Sequence, residues 1–484
     1  MNILFIYSLY NIASPDKPLE SPELMQFGIS YISSLLKKNN HNTQLLVLSR
    51  ISGKINEAII DERIKTFCPK MICFTAVSTE YPFIVTLAKY IRKCYPDLYL
   101  VVGGGHVSLN PEGTLDNFDA LCIGEGEFPM LELVTQLEKG KTPSAIANLW
   151  IKHSDKIERN MSRPFMQNLD ALPFPDREMW QEWIKAGATA RHAILLGRGC
   201  PYNCSYCSNH ALRKLTTGTY TRYRSPDNIL WEIKELISEF PEQKEIYLEV
   251  ETIGQVKNWT LELCAKLTAF NKTRPEPLSF GANLRVAPNS DLESIFNAFK
   301  QANFRFVNIG LESGSEKVRR EILRRNYSNE DIIRAVKLAR KHGLAVTFLN
   351  MVGFPGETLA DFQETIRMNQ LCLPDEGGVS IFYPYPGTSL YELCKQKGLL
   401  EKPVDTDRER DKAILDLPGF SKRQIQAAHF WFDYNVYKEH RPLISLLRKL
   451  LIQSLISLKI KYKPLFFYIN YNLKLLSKTW FCYK

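Results

Sequence analysis

Residues 197–207 read GRGCPYNCSYC and place Cys200, Cys204 and Cys207 on one short loop. The spacing of three and then two intervening residues brings three thiolates together over a few residues of chain. Thiolates are the usual ligands of iron–sulfur clusters. Three protein ligands on a four-iron cluster leave one iron open, which can chelate a small molecule through an amine and a carboxylate. The loop therefore predicts a [4Fe–4S] cluster bound by Cys200, Cys204 and Cys207.

A zinc site is the structural alternative for this loop. His210 lies three residues after Cys207 and could complete a Cys3His ligand set. Zinc sites usually pair two ligand clusters from separate segments of the chain, which disfavours this alternative. Iron and sulfide analysis of anaerobically prepared protein distinguishes the two.

The cysteine loop follows a short apolar strand at residues 193–196, and further strand candidates follow it. They lie at residues 246–250, 278–282, 306–309, 345–351 and 378–382. Helical stretches such as 229–240 and 329–342 fall between them. Six strands at this spacing predict a (β/α)6 partial TIM barrel over residues 191–400, with functional residues at the carboxyl ends of the strands.

Strand and helix also alternate ahead of the loop. The strand candidates are residues 2–7, 43–48, 71–75, 98–102 and 120–123, and the helix candidates are 27–38, 81–94 and 129–138. Repeated βα units predict a doubly wound, Rossmann-like α/β domain over residues 1–160, with ligands bound beyond the carboxyl ends of its strands. A stretch rich in Pro, Asp and Met predicts a linker at 161–190, and residues 401–484 predict a helical region.

Composition and charge limit the class of protein. The chain has 484 residues, 45% hydrophobic and 24% charged, as in ordinary globular proteins. Its net charge of +10 is concentrated at the C-terminus, where residues 439–484 hold nine Lys or Arg and one acidic residue. The rest of the chain is close to neutral, so we predict no nucleic-acid-binding surface.

Cysteine usage and the N-terminus bear on location. Eight of the eleven cysteines are scattered singly, which does not resemble a disulfide framework and suits a reducing compartment. We find no signal peptide and no apolar run long enough to span a membrane. These features predict a cytoplasmic protein.

The cysteine loop resembles that of the radical SAM superfamily, including the aromatic Tyr206 before the last cysteine and the position after a first barrel strand. The resemblance implies that S-adenosylmethionine (SAM) occupies the open iron. It also implies reductive cleavage of SAM to a 5′-deoxyadenosyl radical, with an electron donor such as flavodoxin or ferredoxin.

Later strand ends continue this resemblance. Residues 307–315 (VNIGLESGS) resemble the fourth-strand motif whose acid meets the ribose or amine of SAM, and residues 349–357 (LNMVGFPGE) resemble the segment flanking adenine. Asn283 and Arg285 end the third strand and face the same rim. The implied SAM contacts are Asn283, Arg285, Glu312, Ser313, Gly353 and Gly356. The alternative is that the glycines only permit turns and that Glu312 caps a helix.

The N-terminal domain resembles the cobalamin-binding domain of one large branch of these enzymes. The matching stretches are residues 27–32 (FGISYI), 102–108 (VGGGHVS) and 124–127 (GEGE). The implied cobalamin contacts are Gly104, Gly105, His106, Ser108, Gly124 and Glu125. No Asp-x-His-x-x-Gly motif occurs, so no lower axial ligand of cobalt is assigned. For His106, the alternative to a cobalamin contact is a purely structural role. The domain as a whole could instead have lost its ligand or mediate subunit contact.

The resemblance implies a cobalamin-dependent radical SAM enzyme that transfers methyl to an unactivated centre of a small-molecule or lipid-like substrate. One alternative is an oxidative cyclase or rearrangement enzyme with the same cofactors. A noncatalytic metal-binding protein is the other, from a different functional class. A methylthiotransferase acting on transfer RNA is a weaker alternative. Such relatives carry cluster-ligand cysteines in the N-terminal domain, whereas the cysteines of that domain here, Cys68, Cys73, Cys94 and Cys122, fall mostly on apolar strand or helix positions.

The basic C-terminus has helical leucine spacing over residues 443–458. One interpretation is a helix in peripheral contact with an anionic membrane. The favoured interpretation is a helix packed on the barrel with a solvated basic edge.

Overall fold

The computed structural model of the chain describes residues 1–9, 17–50, 52–185, 191–288, 290–400, 409–452 and 454. The first sheet and its helices are β1 (Asn2–Leu9), α1 (Phe27–Lys38), β2 (Asn42–Ser49), α2 (Ile55–Phe67), β3 (Met71–Thr75), α3 (Tyr81–Cys94), β4 (Tyr99–Gly103), α4 (Gly105–Leu109), β5 (Ala120–Cys122), α5 (Glu127–Glu138), β6 (Leu149–Lys152) and β7 (Ile157–Arg159).

The strand order of the first sheet is β2-β1-β3-β4-β5-β6-β7. The first five strands are parallel, and β6 and β7 extend the sheet as an antiparallel pair. Residues 3–7 of β1 are all buried, as expected for a central parallel strand covered on both faces. The predicted doubly wound domain is confirmed, and the β6–β7 hairpin is an addition that the sequence did not indicate.

The second half of the chain contains α6 (Glu178–Gln181), β8 (His192–Leu195), β9 (Gly197–Arg198), α7 (Asn209–Leu212), β10 (Arg222–Tyr223), α8 (Pro226–Glu239), β11 (Glu245–Ile253), α9 (Lys257–Lys272), β12 (Ser279–Leu284), α10 (Leu292–Gln301), β13 (Phe304–Glu312), α11 (Asn329–Lys341), β14 (Ala345–Val352), α12 (Leu359–Cys372), β15 (Glu376–Ile381), α13 (Ser389–Gln396), α14 (Lys422–Phe430) and α15 (Phe432–Tyr437). A π-helical segment, Val318–Ile322, lies between β13 and α11.

Six parallel strands form the second large sheet in the order β8-β11-β12-β13-β14-β15. Strands that are neighbours in the sheet are therefore consecutive strands of the βα series, as the partial-barrel prediction requires. Strands β9 and β10 form a separate antiparallel pair next to the cysteine loop.

Helix starts in this half are set by capping residues. Ser328 and Thr358 precede α11 and α12, and each forms a capping box with an aspartate three residues later, Asp331 and Asp361. Such caps typically stabilise a helix by about 1 kcal/mol each. The caps place the helix starts at defined distances from the carboxyl ends of β13 and β14, where SAM contacts are predicted.

The predicted linker packs as part of the first core. Trp180 is fully buried and donates a hydrogen bond to Ser30 Oγ at 2.8 Å. Asp176 accepts one from Ser33 and pairs with Lys37 at 3.0 Å. Arg177 donates to the Ala193 carbonyl at 2.7 Å, so the same segment also contacts the first barrel strand. The two sheets are thus joined by a packed connection.

The described C-terminal region begins with turns and irregular chain at 409–421 and is mainly helical from Lys422 onward, and its first part packs on the barrel. Phe420, Phe432 and Tyr437 are buried in one cluster with Phe362 of α12. Residues 443–452 are also helical. Predictions for residues 455–484 lie outside the described part of the chain. Within the described ranges, no helix is both long enough and apolar enough to cross a membrane.

Candidate cluster and cofactor site

The three predicted cluster ligands lie in one loop between β9 and α7. Cys204 is buried, and Cys200 and Cys207 are half-buried. The Cys207 amide donates to the Cys204 carbonyl at 3.3 Å, and Arg213 donates to the carbonyls of Cys200 and Tyr202. Backbone and guanidinium contacts therefore hold the three thiols on one structured loop.

Gly199 shows why glycine precedes the first cysteine. Its φ is +82°, a left-handed conformation that L side chains rarely adopt. A Cβ atom there would lie 2.2 Å from the Tyr220 carbonyl oxygen. The tight approach of the loop to the segment before β10 therefore requires glycine at this position.

His210 is engaged in protein hydrogen bonds. Its Nδ1 lies 2.5 Å from the Cys207 carbonyl oxygen, and its Nε2 lies 3.1 Å from the Ser389 amide and 2.9 Å from Ser389 Oγ. Among the described residues, no group of three or more His, Cys, Asp or Glu side chains is arranged to hold a single metal ion. The ligands of a polynuclear cluster lie farther apart, because each binds a different iron. Because both ring nitrogens of His210 are engaged by Cys207 and Ser389, His210 is disfavoured as the fourth ligand of a Cys3His zinc site.

Arg285, a predicted SAM contact, lies directly at the cluster ligands. Its Nη1 donates to Cys204 Sγ at 2.8 Å, and its guanidinium carbon is 3.6 Å from the centroid of the Tyr202 ring. Burial raises the pKa of the Cys207 thiol to about 11. The Cys207 thiol is therefore neutral near pH 7 when no iron is bound, and bound iron would provide the charge that favours its thiolate form.

Glu312, predicted to contact SAM, is tied to the cysteine loop by an arginine that the sequence did not single out. Arg325 pairs with the Glu312 carboxylate and donates to the Tyr206 hydroxyl at 2.9 Å. Its side chain is 5% exposed, and that of Glu312 is 12% exposed. The Ser205 amide also donates to the Leu323 carbonyl at 3.3 Å. The segment after β13 thus orients both the carboxylate and the loop, and Glu312 does not act as a helix cap.

Two other predicted SAM contacts, Ser313 and Asn283, form hydrogen bonds within the protein. Ser313 is fully buried, and its hydroxyl accepts from the Ser315 amide. Asn283 accepts from the Tyr247 hydroxyl at 2.6 Å and bonds to Asn308, between neighbouring strands. The structure therefore brings Arg285 and Glu312 to the cysteine loop and places Ser313 in the interior. The assignment of individual SAM contacts stays a prediction.

The turn after β14 requires its glycines for conformational reasons. Gly353 and Gly356 have φ values of +89° and +98°. One oxygen of Glu357 accepts hydrogen bonds from the amides of Gly353, at 2.6 Å, and Phe354, at 3.1 Å. Its other oxygen is buried without a hydrogen-bond partner among the described residues. Burial raises the pKa of Glu357 to about 8, so this carboxyl holds a proton near neutral pH.

Glu357 should make folding stability depend on pH. The pKa of Glu357 in the folded protein, about 8, lies above the ordinary value of 4.5. The stabilisation that comes from holding this proton is therefore complete below pH 4.5, and it is lost as pH rises toward 8, because the unfolded chain releases the proton first. Glu357→Gln keeps an acceptor for the two amides but cannot ionise. As pH rises across this window, we expect the free energy of unfolding of the wild type to fall relative to that of the variant by up to ~1.4 kcal/mol per pH unit.

Urea unfolding at a series of pH values between 5 and 8.5 measures this difference. Glu364→Gln on α12, whose side chain is 41% exposed and pairs with Arg367, is the matched control and should follow the wild type. Parallel pH profiles for wild type and Glu357→Gln would contradict the assignment of a buried protonated carboxyl.

A cavity of about 340 Å³ lies between the two domains. The first domain contributes the glycine turns after β4 and β5, and the second contributes Arg198 and Gly199 at the start of the cysteine loop. Gly28 and Gly105 line this cavity, and a Cβ atom at either would meet no other protein atom within 4 Å. The glycines therefore leave space that side chains would fill, which fits a bound ligand. A cofactor as large as cobalamin is bigger than this cavity, so the cavity accounts for one part of it.

Five of the six predicted cobalamin contacts line this cavity, namely Gly104, Gly105, Ser108, Gly124 and Glu125. Ser108 Oγ accepts from the Gly124 amide at 2.9 Å and so joins the two glycine turns. The sixth predicted contact, His106, does not line the cavity. Its ring lies 4.4 Å from that of Tyr81, its Nδ1 is 3.1 Å from Ser78 Oγ, and burial lowers its pKa to about 4. These contacts agree with the structural alternative for His106.

Family models match both domains. The radical SAM superfamily matches residues 194–368, which include the cysteine loop, and the B12 binding domain matches residues 22–134. The chain therefore belongs to the radical SAM enzymes that carry a B12-binding domain. Its radical SAM domain implies a [4Fe–4S] cluster and SAM, and its B12-binding domain implies cobalamin. The predicted family, fold class and cofactors are confirmed.

Individual relatives match most of the chain. An uncharacterized methyltransferase of Pyrococcus horikoshii, PH0819, is 28% identical over 82% of this chain and 84% of its own length. The anaerobic magnesium-protoporphyrin IX monomethyl ester cyclase of Rubrivivax gelatinosus is 24% identical over 82% of this chain and 70% of its own. The radical SAM methyltransferase TsrM from Kitasatospora setae, solved with cobalamin and a [4Fe–4S] cluster bound, has the same fold, with a TM-score of 0.64 and 17% identity over 83% of this chain and 79% of that chain.

Proposed function

We propose that this enzyme transfers a methyl group to an unactivated centre of a small-molecule or lipid-like substrate. The observation that carries the proposal is the shared wall between cavity and cysteine loop. Gly199 lines the cavity and directly precedes Cys200. A cofactor held in the cavity is therefore next to the loop that holds the cluster. The similarity to a methyltransferase over most of the chain supports the same reaction class.

Each part of the site has a role in this proposal. Cys200, Cys204 and Cys207 hold the cluster, Arg285 and Glu312 orient SAM, and the glycine turns of the first domain receive cobalamin. When bound, the cluster supplies the electron that cleaves SAM, and cobalamin supplies the methyl group. The protein positions these groups and excludes water from them.

An open cleft of about 470 Å³ provides access for a substrate. It is lined by Ser108 and Leu109 of the first domain, Lys214 after the cysteine loop, and Thr388 and Ser389 at the start of α13. Ser108 and Leu215 line both this cleft and the cofactor cavity. We propose that the substrate enters here, at the junction of the two domains.

Product analysis tests the reaction class. Anaerobically reconstituted enzyme is incubated with SAM, reductant and either hydroxocobalamin or no cobalamin. Methyl transfer from SAM predicts S-adenosylhomocysteine that depends on cobalamin, together with 5′-deoxyadenosine. 5′-Deoxyadenosine without S-adenosylhomocysteine would instead favour an oxidative cyclase, the activity named for the Rubrivivax relative.

We propose a small electron-transfer protein as reductant, since SAM cleavage at the cluster requires an electron. We also propose a cytoplasmic location, because the ten cysteines of the described chain are all unpaired. The near-neutral charge outside the C-terminus favours a small-molecule substrate over a nucleic acid.

We further propose that the C-terminus contacts an anionic membrane surface. In the helix at 443–452, Leu446 and Leu450 are buried, whereas five large apolar side chains are 45–82% exposed. These are Leu443, Ile444, Leu447, Leu451 and Ile452. The sequence from residue 455 to 484 adds six lysines and no acidic residue. Apolar and cationic groups in one segment are what an anionic lipid surface binds.

Co-sedimentation of the full chain with vesicles tests this contact. We expect binding to vesicles containing phosphatidylglycerol, weak binding to pure phosphatidylcholine, and at least a fivefold loss in the double variant Ile444→Glu/Leu451→Glu. Trp231→Glu, at an exposed position on α8, is the matched control and should bind like the wild type. Absence of vesicle binding would reject the proposed membrane contact. If the wild type instead dimerises and the same double variant does not, the exposed apolar face binds a second copy of the chain.

A further inference from the structure

Four charged side chains meet where the two domains touch, and we call them the interdomain charge cluster: Glu125, Glu127, Arg198 and Arg222. Arg198 contacts Glu125 at 3.2 Å and pairs with Glu127. Arg222 bonds to both oxygens of Glu125, at 2.9 and 3.1 Å. The two acids come from the first domain, and the two arginines lie opposite each other on β9 and β10.

The interdomain charge cluster is mostly withdrawn from solvent. The side chains of Glu127 and Arg222 are each 5% exposed, and those of Arg198 and Glu125 are 17% and 21% exposed. Two acids and two bases balance in charge. Removing one member would leave a partner charge buried without compensation, which is strongly unfavourable. Burial alone would raise the pKa of Glu125, but Arg198 and Arg222 outweigh it and lower this pKa.

Neighbouring groups hold these side chains in one arrangement. The connection between the domains contributes Met166, whose amide donates to Glu125 at 2.9 Å and whose carbonyl accepts from Arg222 at 2.8 Å. The Arg198 guanidinium lies 5.3 Å from the centroid of the Tyr31 ring, on α1. The arginines are thus oriented by both domains and by the segment that joins them.

The position of the interdomain charge cluster relates the two cofactor sites. All four side chains line the cofactor cavity. Arg198 is also two residues before Cys200, on a strand so close to β10 that a Cβ at Gly197 would lie 2.4 Å from the Arg222 carbonyl oxygen. A movement of the first domain relative to Arg198 would therefore change the cavity and the base of the cysteine loop together.

We infer that the interdomain charge cluster sets the position of the cobalamin site relative to the iron–sulfur loop, with Arg198 as the principal positioning residue. Interfaces between domains of one chain permit relative motion unless specific contacts fix them. Reactions between two bound groups are sensitive to displacements of about 1 Å. The inference rests on the proposed function, because it concerns the coupling of two cofactors in one reaction.

Arg198→Gln in the cofactor-loaded enzyme tests the inference. The first readout is magnetic: electron paramagnetic resonance of the sample holding Co(II) cobalamin and the reduced cluster reports their spin–spin coupling. The second is the ratio of cobalamin-dependent S-adenosylhomocysteine to 5′-deoxyadenosine. We expect altered coupling and at least a tenfold fall in this ratio, with iron content and hydroxocobalamin affinity within twofold of wild type.

Two further variants complete the design. Glu127→Gln removes the other partner of the same pair and should reproduce both changes even if Arg198→Gln fails to fold. Arg92→Gln breaks an ion pair of 2.6 Å with Asp119 elsewhere in the first domain and should leave both readouts unchanged.

Unchanged spin–spin coupling and product ratio in both charge-cluster variants would overturn the inference. A tenfold loss of cobalamin affinity would also overturn it, since these residues would then be direct cofactor contacts. If the wild type itself binds no cobalamin, the proposed function fails first, and that outcome is distinct from either of these.

Discussion

Replacing Cys204 with alanine should abolish the [4Fe–4S] cluster and all measurable reductive cleavage of SAM. Cys204 is the buried member of the three ligands and contacts Arg285 through its sulfur. Its loss leaves two thiolates for a cluster that has no other ligand in this loop. Iron and sulfide content, the visible absorption of the cluster and 5′-deoxyadenosine formation measure the effect.

Cys68→Ala is the control for this variant, because Cys68 is an exposed free thiol after α2. It should keep wild-type iron content and activity. Retention of four irons and four sulfides in Cys204→Ala would show that the cluster lies elsewhere. If the anaerobically prepared wild type contains stoichiometric zinc and no sulfide, the cluster assignment is wrong and the loop is a zinc site.

Replacing Gly105 with leucine should weaken cobalamin binding by at least a hundredfold. Gly105 lines the interdomain cavity, and its missing side chain faces no protein atom within 4 Å. A leucine fits the helical backbone there but occupies space that the ligand needs. Spectrophotometric titration with hydroxocobalamin measures affinity, and iron content should stay at the wild-type level.

Gly378→Leu is a matched control, because a Cβ at Gly378 also meets no protein atom within 4 Å but the residue lies on β15, away from the cavity lining. It should bind cobalamin like the wild type. Unchanged affinity in Gly105→Leu would place the cofactor outside this cavity. Equal losses in both glycine variants would mean that the effect comes from folding.

The cofactor classes could be predicted from the sequence because their signals are local. Three cysteines within eight residues must meet on one loop, whatever the rest of the chain does. Glycine turns after apolar strands are similarly short-range, and the φ of +82° at Gly199 shows the conformation that such a glycine serves. The parallel direction of the strands followed from the helices between them, since parallel strands need crossovers.

Individual contacts were less predictable. Ser313 belongs to a recognisable motif, yet its side chain is fully buried, and His106 stands between cavity residues but packs against Tyr81. A motif specifies which residues are near a site. The direction of each side chain depends on packing against elements that are distant in the chain.

By itself, the sequence determined the cysteine loop, the two βα series and the three cofactors that they imply. Only the tertiary structure decided which charges pair. Arg198 and Glu127 are 71 residues apart, and Arg325 joins Tyr206 across 119 residues. With 62 basic and 52 acidic residues in the chain, no local pattern selects these partners. They are selected when folding withdraws them from water, because a buried charge is then stable only beside an opposite one.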